Sequence, residues 1–269
     1  MYKLRDWIPL NRLSWYALSI NPNALHLLEH NLDKINWGYL SKNPNAIHLL
    51  EQNIDKIIWT YLAENINALH LLEQDIMKKG LSYYVSKNPK AVHLLENNLD
   101  KINWIHLSQN PNAIHLLEHN LDKIDWKWLS LNPNAIDLLK RNFDKIDWIF
   151  LSNNPNAIRL LECNLDKINW ACLSENPNAI DLLERNFDHI DWMHLSKNPN
   201  ALHLLERNLD KINWYNLSKN PSIFVLDYEK MKENCSTFKE ELIQKALHPR
   251  RIQKYLDSGI DIGELENCI

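Results

Sequence analysis

Residues Asn110–Leu131, NPNAIHLLEHNLDKIDWKWLSL, decide how the whole chain is read. Asn110 has the short polar side chain preferred at a helix N-cap, and Pro111 follows at the first helical position, where a missing N–H loses nothing. Ala113, Ile114, Leu116, Leu117 and Leu121 keep the spacing of one apolar helix face, leaving His115, Glu118, His119 and Asp122 on the other side. Asn120 is expected to end this ten-residue helix in the left-handed conformation, which asparagine tolerates best after glycine. Asp125 then caps a short second helix that carries Trp126 and Leu129, with Ile124 and Leu129 at the spacing of a hydrophobic staple. The stretch therefore reads as a helix, a turn, a short helix and another turn.

The same stretch recurs along the chain. Pro22, Pro44, Pro89, Pro111, Pro133, Pro155, Pro177, Pro199 and Pro221 lie 22 residues apart, except for 45 residues between Pro44 and Pro89, where Ile66 holds the missing place. Trp15, Trp37, Trp59, Trp104, Trp126, Trp148, Trp170, Trp192 and Trp214 keep the same phase. A fixed period of this kind marks a repeat architecture. Nine units occupy residues 21–219, and residues 1–20 read as an N-terminal cap with a half-length unit, Asn11–Ile20. The unit at residues 65–87 is irregular, with Ile66 for Pro, Ser82 in the tryptophan place and an insertion around Met77-Lys78-Lys79-Gly80. It reads as a tolerated scar that alters the local twist, with a functional bend or a docking point as the alternative. Residues 220–269 read as a helical C-terminal cap. Thr237 with Glu240 resembles a capping box opening a helix through Leu247, Pro249 starts a second helix, and Gly259 follows its end. The segment Leu4–Trp15 is expected to cap the other end.

Energetics require the units to stack. About seven core side chains at ~2 kcal/mol each supply on the order of 14 kcal/mol. Ordering the backbone of one 22-residue unit, at roughly 1–2 kcal/mol per residue, costs more. The fold class that follows is an all-α solenoid of nine two-helix repeats with capping segments, right-handed or near-linear. A leucine-rich-repeat-like α/β horseshoe is the alternative, because Ile124-Asp125-Trp126 alternates like a short strand. Its L-x-x-L-x-L-x-x-N frame does not fit, and Trp126 to Leu129 is a helical spacing. The repeated asparagines are expected to form a hydrogen-bonded ladder through the turns.

Composition narrows the function. The 269 residues are 45% hydrophobic and 24% charged, as in ordered globular chains. Four glycines speak against Gly-rich phosphate loops, and a net charge of −4 speaks against a broad basic surface. No apolar run approaches the ~18 residues of a membrane span, and MYKLRDWIPL lacks a signal-peptide core. Cys163, Cys172, Cys235 and Cys268 have no paired spacing, which fits a reducing, intracellular setting. No Ser-His-Asp set or cysteine pair stands out, and Asp122-Lys123 recurs in nearly every unit as scaffold, so the chain reads as no enzyme and as having no cofactor.

Comparing units separates constant from variable positions. One variable column runs His26, His48, His70, His93, His115, Asp137, Arg159, Asp181, His203. The next, one turn on, runs His30, Gln52, Gln74, Asn97, His119, Arg141, Cys163, Arg185, Arg207. A third, on the short helix, runs Tyr39, Tyr61, Tyr84, His106, Trp128, Phe150, Cys172, His194, Asn216. Two more run from Gly38 to Tyr215 and from Lys42 to Lys219. The candidate partner-binding residues are Tyr39, Tyr61, Tyr84, His106, Trp128 and Phe150, with His115, His119, Arg141, Arg159, Arg185 and Arg207. Aromatic rings are favoured interface anchors, although packing against the next unit would also use them. His26 with His30, and His115 with His119, have i,i+4 spacing but lack third and fourth ligands, so no metal site is read. The arginines together with Trp128 and Phe150 would suit a single-stranded nucleic-acid reader, which Asp137 and Asp181 disfavour. Arg250, Arg251 and Lys254 read as a solvated basic patch.

LRDWIPL at 4–10, the repeated LSxNPNAIxLLExNxDKIxW, and ALHPRRIQKYLDSGID at 246–261 together resemble a family of short-repeat proteins encoded by large DNA viruses of algae and amoebae. The likeness covers essentially the whole chain. It implies a viral protein in the host-cell cytoplasm or the virion and brings no established activity, cofactor or catalytic residue. The function expected is a scaffold that binds a protein, host or viral, through its variable columns. A structural component of the viral particle is the alternative.

Overall fold

The computed structural model describes residues 2–72, 82–96 and 99–246, with single residues 248, 250, 253 and 257 beyond them. In the repeat Asn110–Leu131 the N-cap forms as its residues require: the Asn110 side chain accepts the N–H of Asn112 at 3.0 Å, and Pro111–Ala113 make a 3₁₀ turn. The α-helix proper is Ile114–Glu118, and a second 3₁₀ turn follows at Leu121–Lys123. The expected ten-residue helix is therefore divided. Asn120 divides it, and not through a left-handed backbone, since its φ is −139° and ψ 52°. Its side-chain amide instead donates to the carbonyl of Leu116 at 2.9 Å, satisfying a carbonyl that the helix end would leave open. Asn31, Asn53, Asn142, Asn164, Asn186 and Asn208 do the same. Leu121 consequently falls outside the apolar face and is exposed. Asp125 caps the short helix Trp126–Leu131 by accepting the N–H of Trp128 at 3.1 Å. Ile124 and Asp125 are extended only as a link, and no strand lies within the repeats among the described residues. The architecture is an all-α repeat array.

Each of the regular units contributes a buried alanine, leucines from both helices and an isoleucine, as Ala113, Leu117, Ile124 and Leu129 do. Beside this core runs the ladder. Asn21, Asn43, Asn65, Asn88, Asn110, Asn132, Asn154, Asn176, Asn198 and Asn220 are all buried, and a buried amide is costly unless paired. Each donates twice, at 2.7–3.2 Å, to the carbonyl of the preceding asparagine of the ladder and to that of the residue two before it. A serine at the end of nine of the ten short helices, with Ala63 in its place on the other, adds a second tie: Ser108, for example, accepts the N–H of Asp125 in the next unit while donating to the carbonyl of Trp104.

The array does not run on as a near-linear solenoid, because its first and last units meet. Asn21 donates to the carbonyls of Ser218 and Asn220 at 3.0 and 2.9 Å, as Asn43 does to Ser19 and Asn21. Ser218 accepts the N–H of Ser14 at 2.9 Å, as Ser19 accepts that of Asn36. Ten asparagines thus form one closed circuit. Ten short helices, from Trp15–Leu18 to Trp214–Lys219, follow it round. The tenth repeat is assembled from both ends of the chain. Asn220-Pro221-Ser222-Ile223 supplies its opening turn, while the 3₁₀ turn Leu10–Arg12 and the helix Trp15–Leu18 supply its second half. Arg5 seals the junction through Ser222 and Ile223. The segment Leu4–Trp15, expected to cap an open end, completes a ring instead, and stacking then leaves no terminal face to cap.

Leu4–Phe224 form this compact unit, and Met1–Lys3 with Val225–Ile269 form another. Strands Tyr2–Leu4 and Phe224–Leu226 pair. The helix that follows is continuous over Tyr228–Ala246, with Asp227 accepting the N–H of Lys230 at 3.1 Å. Position 237 lies in its middle, so the helix opens at Asp227 rather than at a box formed by Thr237 and Glu240. Leu247, Pro249, Arg251, Lys254, Gly259, Cys268, Gln74, Asn97 and the insertion at 77–80 lie outside the described residues. No helix among those described is long and apolar enough to cross a membrane.

Candidate recognition surface

Side chains from non-adjacent repeats converge on one face of the ring. The Tyr39 hydroxyl lies 3.4 Å from that of Tyr215, although the helix Trp15–Leu18 stands between their two helices. Ala17, the buried small residue at the matching position, lets Tyr39 reach across. The charges of Glu64 and Lys42 act on His106 from two and three repeats back. Such convergence belongs to a concave wall, so the short helices face the ring axis and the longer helices lie outside.

The aromatic column stands on this inner wall. Each member is the third residue of its short helix, and the N-cap side chain holds its N–H: Asn36 for Tyr39, Asn103 for His106, Asp125 for Trp128 and Asp147 for Phe150. At Tyr61 the N-cap place is taken by Ile58, and the backbone alone sets the turn. Tyr61 and Tyr84 are exposed, while Tyr39, His106, Trp128 and Phe150 are half-buried. The rings also knit neighbouring repeats together. Trp128 meets Phe150 edge-on at 5.1 Å, Tyr16 meets Tyr39 at 4.6 Å, and Tyr61 lies over Gly38, where an added Cβ would come within 3.1 Å of its ring. One side of each of these rings packs, and part of each remains open. Further round, Cys172 and His194 are half-buried, and Asn216 is buried with its amide donating to the carbonyl of Met193.

Lysines accompany the rings. Lys42 lies 4.5 Å from the centre of Tyr61, Lys127 lies 4.9 Å from that of Phe150, and Lys219 lies 4.4 and 5.5 Å from those of Tyr215 and Tyr39. Glu64 is bracketed by Lys42 at 3.0 Å and Lys87 at 3.1 Å, and Glu175 pairs with Lys197 at 3.0 Å. Burial alone would push the Glu64 carboxyl up, but the two lysines outweigh it and hold the group below its ordinary range. Burial, then the charges of Lys87 and Lys42, hold His106 below the usual histidine value against the opposing pull of Glu64. Lys42, Lys87, Lys127, Lys197 and Lys219 share this wall with Glu64, Glu175 and the capping carboxylates of Asp125, Asp147 and Asp191. The column from Lys42 to Lys219 is visible in the sequence. It follows the aromatic column by three residues, the spacing that puts two positions on one helix face.

The remaining candidates lie elsewhere. His115, His119, Arg141, Arg159, Arg185 and Arg207 are exposed on the outer helices, and the fold does not bring them to the aromatic wall. His115 pairs with Glu96 at 3.0 Å, and His119 Nδ1–H donates to the carbonyl of His115. Arg141 pairs with Glu118 and Arg185 with Glu162. Exposed pairs of this kind contribute ~0–1 kcal/mol, so they tie neighbouring repeats only lightly. His30 likewise donates to the carbonyl of His26. No group of three or more His, Cys, Asp or Glu suited to a metal ion occurs among the described residues.

No protein-family model, curated protein or solved structure matches this chain.

Proposed function

We propose that the chain is a non-enzymatic recognition scaffold that holds a segment of a partner protein against its inner wall. The observation that carries this reading is the arc from Tyr39 to Phe150, where partly open rings and lysines line a concave surface. Ten helices spaced about 9 Å apart place their axes roughly 15 Å from the ring centre, which leaves an opening of about 15–20 Å once helix radii of ~5–6 Å are removed. That space suits one extended chain. Rigid aromatic side chains supply contact area at small entropic cost, and the lysines beside the rings offer partners to carboxylates on the ligand. The resemblance to virus-encoded repeat proteins supports an infected host cell or a virion as the setting. In a virion the same wall would hold a neighbouring particle protein permanently.

The test is selection of displayed peptides on the purified chain, followed by measurement of the selected peptides in solution. Peptides rich in Asp or Glu with bulky apolar residues are expected. Replacing Tyr39, Tyr61, Tyr84 and Trp128 together with Ala should abolish their binding without loss of helicity. Unchanged binding would remove the aromatic wall from the account, and lost helicity would assign those rings to packing. A labelled single-stranded oligonucleotide serves as the second arm, and tighter binding there would replace the protein reading with a nucleic-acid one.

A further inference from the structure

A bulky apolar residue heads the 3₁₀ turn of nine repeats among the described residues, with exposures from 40% at Leu10 to 56% at Ile54. Leu121, Phe143 and Phe187 are typical. In-register stacking gathers these turns on one edge of the array and the Asn-Pro turns on the other, and closure bends the row into a circle around one rim. The inner-wall positions change from repeat to repeat, whereas this one keeps Leu, Ile or Phe half in water.

Asp and Lys follow seven of the nine apolar residues in turn, as in Leu32-Asp33-Lys34 and Leu121-Asp122-Lys123, while Asn11-Arg12 follow Leu10 and Asp188-His189 follow Phe187. Lys34, Lys56, Lys123, Lys167 and Lys211 are pinned over tryptophans of the preceding repeat: Lys34 is 4.5 Å from the centre of Trp15 and Lys123 is 4.8 Å from that of Trp104. Asp33, Asp122, Asp166 and Asp210 are exposed and form no ion pair among the described residues. A rim of apolar beads separated by alternating charges is complementary to itself. A two-fold axis perpendicular to the ring axis sets the acids of one copy against the bases of the other.

We infer that a second copy of this chain docks on this rim, face to face. At roughly 200 Å² per large side chain, the half-exposed residues present on the order of 800 Å² per ring. That matches the ~800 Å² each partner contributes to a typical stable interface, and it exceeds the ~300–600 Å² largest patch of an ordinary monomer. The inference does not depend on what the inner wall binds.

Sedimentation velocity of the full chain over a range of micromolar concentrations tests it. The expected mass is twice the 31.9 kDa of one chain. The triple variant Leu121→Glu, Phe143→Glu, Leu165→Glu should sediment as a monomer with unchanged circular dichroism. The milder pair Phe143→Gln, Phe187→Gln should weaken the dimer at least about ten-fold, which corresponds to ~1.4 kcal/mol. A monomer at every concentration would overturn the proposal, as would a dimer indifferent to both variants. A monomer that floats with phosphatidylserine-containing vesicles through this rim would overturn it too, by giving the rim to lipid.

Discussion

The guanidinium of Arg12 lies 4.9 Å from the centre of the Trp214 indole, the relation that Lys34 has to Trp15 and Lys211 to Trp192 between consecutive repeats. Two residues at opposite ends of the repeat array therefore use the same contact as neighbours within it. Closure needs no special device, because the junction is one more copy of the interface that already holds the stack together.

Equivalence of that kind is measurable. Asn21→Ala and Asn132→Ala each strip two backbone carbonyls of their donor, at a cost of about 1–3 kcal/mol. In a closed ring the two variants should lower the urea midpoint by similar amounts, followed by circular dichroism. A neutral Asn21→Ala beside a destabilised Asn132→Ala would mean that the ends do not meet.

Gly38→Ala separates stability from recognition. The added methyl would stand 3.1 and 3.2 Å from two carbons of the Tyr61 ring, so the ring must move. Alanine gains up to ~1 kcal/mol of helix propensity, which offsets the displacement. Peptide affinity measured by calorimetry should fall several-fold while the urea midpoint holds or rises. Unaltered affinity would take Tyr61 out of the surface.

Acidification should weaken the fold through the inner wall. His106 has a folded pKa below its ordinary 6.5, so its contribution is complete above that value and is lost as pH falls through 6.5 toward the folded value. Glu64, depressed from 4.5, contributes above 4.5 and loses its contribution as pH falls through its own folded value. Because Glu64 raises the His106 pKa, Glu64→Gln should shift the NMR titration of His106 to still lower pH. An upward shift, or none, would mean that the two groups do not face each other across the wall.

Much of the repeat is legible in one unit. Asn110, followed by Pro111, and Asp125 mark their caps in the sequence, and the caps form because the Asn110 and Asp125 side chains each accept an N–H only two or three residues on. Asn120 misleads, since a short amide can close a helix either by a left-handed backbone or by bonding back to a carbonyl, and the sequence does not choose. Leu121 continues the apolar spacing yet lies outside the core, because that bond ends the helix before it. Closure depends on the small turn between successive units, a tenth of a circle, which arises from packing across the whole stack. Its trace is present all the same: Leu10-Asn11-Arg12-Leu13-Ser14-Trp15 aligns with Leu32-Asp33-Lys34-Ile35-Asn36-Trp37, and Asn220-Pro221-Ser222-Ile223 supplies the matching front half. Which variable column faces inward follows only from that closure, so the candidate residues were visible while their division between the two faces was not.

Closure of the ring is most directly tested by the distance between spin labels at positions 30 and 207, both exposed on the outer side, with the native cysteines replaced by serine. Around the junction these positions lie two repeats apart, and pulsed dipolar spectroscopy should return about 20–30 Å for helices packed ~9 Å apart. A separation near 70 Å, about eight such steps along an open stack, would contradict the ring.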